Sequence, residues 1–163
     1  MTETTDYELL QSQLAALLTS DRDAIATSAN FVALLFTSMP RINWLGFYFM
    51  KDGELVLGPF QGKPATTRIA VGDGVCGTAI AEDAVQRIDD VHAFPGHIAC
   101  DPDSKSELVV PLRIDDRIIG VLDIDSPFLA RFDAADQAGV ERLCMMLVER
   151  LGAEGAGQLT SVD

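Results

Sequence analysis

Apolar positions recur at two different periods along the chain. Leu9, Leu10, Leu14, Leu17 and Leu18 fall at helical spacing and predict a helix from about Asp6 to Thr19. A second helical stretch runs from Asp21 to Ser38, with Asp21 as the expected N-cap and Pro40 as the stop. The period then shortens to two. The aromatic run "INWLGFYFM" and the stretch "ELVLGPF", joined at Lys51-Asp52-Gly53, predict a hairpin. "TTRIAV" reads as a third strand, "GVCGTAIAED" as a short helix behind a glycine loop, and "VQRID" as a short strand. Beyond the Phe94–Ser106 loop, "ELVVPLRI" and "RIIGVLDID" meet at Asp115-Asp116 in another hairpin. The last helix is expected over Ala134–Gly152, with Asp133 near its start.

Helices flank an antiparallel meander, and strands do not alternate regularly with helices. The fold class expected is therefore α+β: a central antiparallel sheet with N- and C-terminal helices packed mainly on one face. With 163 residues the chain is read as a single domain, its core over about residues 5–152 and a flexible tail over about 153–163.

Composition changes this picture little. A formal net charge of −13 disfavours nucleic acid and anionic membranes, both of which need basic patches. No apolar run is long enough to span a bilayer, and "MTETTDYELL" lacks the basic start of a signal peptide, so a cytoplasmic location is expected. Three cysteines are an odd number, too few for a disulfide scaffold. In a reducing compartment such thiols are structural, metal-binding or redox-active.

Strand parity sorts the candidate chemistry. In "NWLGFYF" the side chains of Trp44 and Tyr48 share a face with Gly46, while Leu45, Phe47 and Phe49 face the core. Two rings beside a residue without a side chain suggest a notch for a thioether, a sulfoxide methyl or a cation, though an ordinary half-buried strand has the same pattern. Asp123 and Asp125 share a face of "VLDIDS", and Glu107 opens the neighbouring strand. Three converging acids would bind an ammonium group and hold one carboxyl neutral as a proton donor; a solvated strand end would look alike.

"GDGVCG" matches a dinucleotide-binding glycine pattern by letter, but Asp73 would face phosphate charge and the surrounding βαβ units are missing. Its interest lies in Cys76, in the first turn of the following helix, where the helix N-terminus lowers a thiol pKa. Cys100 stands in the turn-rich loop "FPGHIACDPDSKSE", three residues after His97. A zinc site drawn from Cys76, His92, His97 and Cys100 matches no common spacing, and no metal or organic cofactor is expected. Cys144, beside Leu143 and Met145 on the last helix, reads as a core thiol.

Taken in order from about residue 5 to 150, "NWLGFYF", "LGPFQGKPA", "GDGVCGTA", "FPGHIACD", "SKSELVVPL" and "GVLDIDSP" resemble the free methionine-(R)-sulfoxide reductases, stand-alone GAF-domain enzymes. The resemblance implies a GAF domain and a thiol-dependent reduction of free methionine-(R)-sulfoxide. It implies that Cys100 is the catalytic cysteine and Cys76 a second redox cysteine. It makes Glu107, Asp123 and Asp125 the acids that bind and polarise substrate, and Trp44 and Tyr48 the aromatic wall at its methyl-sulfoxide end. One departure stands out: where many members carry a cysteine after "GKPA", this chain has Thr66, so the usual resolving partner is missing; either Cys76 forms the disulfide with Cys100, recycled by thioredoxin or a similar dithiol, or an external thiol takes that role. The rival function is a GAF-type small-ligand or redox sensor without turnover. A homodimer is compatible with either function.

Overall fold

The computed structural model describes residues 3–98 and 101–160. Helices α1 (Tyr7–Leu17) and α2 (Ala24–Ser38) precede strands β1 (Trp44–Lys51), β2 (Glu54–Gln61) and β3 (Arg68–Ala70). Helix α3 (Gly74–Glu82) and strand β4 (Gln86–Ile88) follow, then a 3₁₀ turn at Val91–Ala93. Strands β5 (Ser106–Ile114) and β6 (Arg117–Ser126) lead into α4 (Ala134–Thr160). The six strands form one sheet in the order β3-β2-β1-β6-β5-β4, every neighbouring pair antiparallel. This is the α+β architecture expected from the changing period.

The hairpins form where acidic and glycine turns were read. Asp52 and Gly53 both take positive φ, 51° and 82°, between the paired Lys51 and Glu54. Asp115 and Asp116 do the same, at 50° and 61°, between Ile114 and Arg117. A two-residue connection with both φ values positive matches the twist of the flanking strands, and aspartate tolerates it.

Two expectations need correction. The N-cap of α2 is Asp23, whose side chain accepts from the Ala26 N–H at 2.8 Å. Asp21 instead accepts from the N–H groups of Arg22 and Asp23 in the preceding turn. At the other end, residues 153–160 continue as helix beyond a break at Gly152, where φ is 59° and ψ −170°. Ala156 and Leu159 on this segment are buried with the main core, because the break turns their apolar side back onto the domain.

The sheet divides the apolar residues into two clusters. On one face Leu45, Phe47, Phe49, Leu108, Leu122 and Ile124 pack with the buried sides of α1, α2 and α4. On the other, Trp44, Tyr48, Val109 and Val121 pack with Val75, Cys76 and Ala79 of α3. The first face is the large core; the second carries the candidate chemistry. Among the described residues, no helix is long and apolar enough to cross a membrane.

Candidate active site

Ladder register brings the three acids together. Glu107 pairs with Asp125 across β5 and β6, Asp123 pairs with Gly46 of β1, and Asp125 with Trp44. Paired residues share a face, so the acids and the aromatic pair project to the α3 side. Glu107, Asp123 and Asp125 are 3%, 1% and 3% exposed, so they are not a solvated strand end.

Cys76 approaches from above the sheet. It is the third residue of α3 and is buried. One ligand-type atom from each of Cys76, Glu107 and Asp123 lies within 4.8 Å of the others. Gly74 makes this approach feasible: its φ is +60°, and a Cβ there would stand 3.1 Å from the Ile98 side chain that packs over it. Between them Asp73, Gly74, Cys76, Ile98, Glu107 and Asp123 line a cavity of about 10 Å³, the size of one water or ion.

The electrostatics follow from burial. Desolvation, then the charge of Asp125, raises the Glu107 pKa well above its ordinary value. Asp123 is raised by desolvation and the charge of Glu107, with the Cys76 side chain partly opposing. Asp125 is raised by desolvation and by Asp123 and Asp101. Glu107 Oε2, Asp123 Oδ1 and Asp125 Oδ2 are buried without a hydrogen-bond partner. Unsatisfied buried oxygens favour a neutral acid and leave acceptor capacity aimed into the site.

Trp44 and Tyr48 stand side by side, fully buried, with ring centroids 6.0 Å apart. The notch expected above Gly46 is filled. Gly46 pairs with Phe60, and a Cβ on Gly46 would meet the Phe60 Cβ at 2.3 Å and the Trp44 ring at 2.7 Å. Phe60 stacks on Trp44 at 5.4 Å. The missing side chain therefore serves close ring packing, and the aromatics form a wall instead of a slot. The wall is anchored at its polar edges: Trp44 Nε1 donates to the Lys63 carbonyl at 3.0 Å, and Tyr48 Oη to the Thr66 carbonyl at 2.9 Å.

Several residues of the site were not singled out by spacing. His97, read as a neighbour of Cys100, lies with Nε2 3.3 Å from Glu107 Oε2, and burial lowers its pKa. Lys63 reaches Asp101 and Asp103 at 3.2 and 3.3 Å, tying the "GKPA" segment to the loop. Asp101 is itself buried, and Asn43 Nδ2 donates to Ser104 Oγ at 3.2 Å nearby. The signal for Lys63 and Asp101 was their place inside two of the quoted motifs; their mutual contact, 38 residues apart, was not legible.

Cys100 lies outside the described residues. His92 is exposed and turned to Asp90, so the four-residue zinc set weighed from the sequence is not assembled among the described residues. Cys144 is buried in the opposite core, where desolvation raises its pKa. It borders a groove of about 500 Å³ between β5 and α4 that holds none of the clustered acids.

The GAF domain family matches residues 6–151. The chain is 60% identical over 134 residues to Protein YtsP of Bacillus subtilis, covering 81% of this chain and 82% of the relative. It is 52% identical over 147 residues to the free methionine-R-sulfoxide reductase of Escherichia coli, covering 90% and 89%. The fRMsr structure of Staphylococcus aureus in complex with substrate superposes with a TM-score of 0.89 at 48% identity, covering 93% of this chain and 99% of that one. The chain belongs to the free methionine-R-sulfoxide reductase family of GAF-domain proteins.

Proposed function

We propose that this chain reduces free L-methionine-(R)-sulfoxide to methionine at the Glu107–Asp123–Asp125 cluster, with Cys100 as nucleophile. The observation that carries the reading is three buried carboxyls on one face of the sheet, two of them close to a thiol, beside an aromatic wall. The relatives' names and the Staphylococcus aureus complex supply the substrate class.

The substrate's S-methyl end lies against Trp44 and Tyr48. Its ammonium meets the acids, which favours ionising one of them; a peptide-bound residue lacks that ammonium. A carboxyl held neutral by burial donates a hydrogen bond to the sulfoxide oxygen and makes sulfur electrophilic. The Cys100 thiolate attacks, the oxygen transfers to Cys100 as a sulfenic acid, and methionine leaves with its sulfur reduced. Cys76 condenses with the sulfenic acid, releasing water and forming a disulfide. A thioredoxin-type dithiol of the cytoplasm reduces it by exchange. The cavity is far smaller than the amino acid, so Ile98 and His97 move off Gly74 and Glu107 when substrate enters.

The test is NADPH consumption coupled through thioredoxin and its reductase, with separated R and S sulfoxides, free and peptide-bound. Turnover of the free R form alone is expected. Ligand binding with no NADPH consumption would assign the chain to the sensor class.

A further inference from the structure

The Cys76 side of the cluster has features that amino-acid reduction does not require. Its cavity is ion-sized, about 10 Å³. Its walls present a sulfur and two carboxylate oxygens within 4.8 Å of one another, and His97 Nε2, outside this group, stands 3.3 Å from Glu107 Oε2. Of the buried oxygens on these lining residues, Asp123 Oδ1 has no hydrogen-bond partner, and Glu107 Oε2 has none beyond the nearby His97 Nε2. Lys63 is paired with Asp101 and Asp103.

We propose that Cys76, Glu107 and Asp123, with a water as the remaining ligand, form a site for a thiophilic divalent cation, Zn²⁺, whose occupancy excludes the reductase cycle.

The donor set suits the ion. Zinc takes sulfur, nitrogen and oxygen donors in a tetrahedron at about 2.0–2.3 Å, which places neighbouring donors roughly 3.5 Å apart. The three atoms within 4.8 Å need only a small inward shift. Binding displaces the Cys76 thiol proton and carboxyl protons to solvent, and the cation then compensates charges that the site otherwise keeps neutral. No electron transfer is involved. The exclusion of turnover rests on the function proposed above: the ion would occupy the acids that receive substrate and the thiol that resolves Cys100. Zinc binding itself does not depend on that function.

The test is a Co²⁺ titration of the full chain, reduced with a phosphine, followed by the thiolate-to-cobalt charge-transfer absorption. One equivalent should saturate the band, and one equivalent of Zn²⁺ should abolish it. Cys100→Ser and Cys144→Ser should keep the band and Cys76→Ser should lose it. Asp123→Asn and Glu107→Gln, with folding checked by circular dichroism, should weaken binding by at least about tenfold. No band in the native protein would overturn the site, as would a band that survives Cys76→Ser or requires Cys100. Unchanged affinity in both carboxamide variants would overturn it too. In the coupled assay Zn²⁺ should inhibit at the concentration that fills the site, and turnover unaffected at full occupancy would refute the exclusion. Metal-free protein that is inactive on every sulfoxide yet binds Co²⁺ through Cys76 would remove the reductase reading and leave the site standing.

Discussion

Glu107 stands directly opposite Asp125 in the β5–β6 ladder, and both carboxyls are buried. Like charges in that relation destabilise a sheet, and buried ones cost more. The pair is intelligible if at least one carboxyl stays protonated in the folded protein and ionises only in exchange for a bound cation.

This gives a pH signature of known sign. The folded pKa values of Glu107, Asp123 and Asp125 lie above their ordinary values of 4.5, 3.8 and 3.8. The folded state therefore holds protons that the unfolded state has released. The stability these acids contribute is full below about pH 4 and is lost as pH rises through their raised folded values. Asp125→Asn should raise the urea midpoint at pH 7 and lose that advantage in acid. The same variant should lower kcat/KM by at least about tenfold. A stability gain independent of pH would show that the folded pKa of Asp125 is not raised.

Gly46 is set by packing. Gly46→Ala drives a methyl into Phe60 and Trp44, and since the Phe60 neighbour is its own Cβ, only backbone movement relieves the clash. A loss of about 1–3 kcal/mol in chemical denaturation is expected, with a raised KM from the displaced Trp44. Unchanged stability would mean that β1 and β2 separate easily there.

Lys63 is exposed, yet it grips Asp101, which follows the proposed nucleophile Cys100 in the sequence. Lys63→Met should reduce kcat and also lower the thermal midpoint, because loop placement governs attack and the buried Asp101 carboxylate loses its cation. A fall in stability without loss of kcat would make the contact purely structural.

Thr66 lies on the segment held by the Tyr48 hydroxyl. After one turnover without reductant, mass spectrometry should find a disulfide between Cys76 and Cys100. In Thr66→Cys the bond should shift to residues 66 and 100. A sulfenic acid or mixed disulfide on Cys100 with an unmodified Cys76 in the native protein would exclude Cys76 as resolver.

Much of the fold was legible because period and turn chemistry are local. The alternation in "NWLGFYF" sorted Trp44 and Tyr48 from Leu45, Phe47 and Phe49, and the structure keeps that division. The acids were legible for the same reason: a spacing of two puts Asp123 and Asp125 on one face. Their depth was not, because burial comes from α3 and the Ile98 segment, elements distant in sequence. The filled notch over Gly46 was missed because Phe60 reaches it only through the β1–β2 register. The α2 cap was misplaced by one acid because Asp21 and Asp23 offer the same side chain two residues apart. The helix past Gly152 was missed because a glycine there reads as an end, while Ala156 and Leu159 are apolar enough to continue only when a core receives them.

The central claim is that buried acids and Cys100 together reduce the free R sulfoxide. It is tested most directly by the coupled assay on pure free L-methionine-(R)-sulfoxide with the native chain and Cys100→Ser side by side. Sustained NADPH oxidation by the native chain and none by Cys100→Ser is the predicted result. Equal rates in the two proteins, or no oxidation in either, would contradict it.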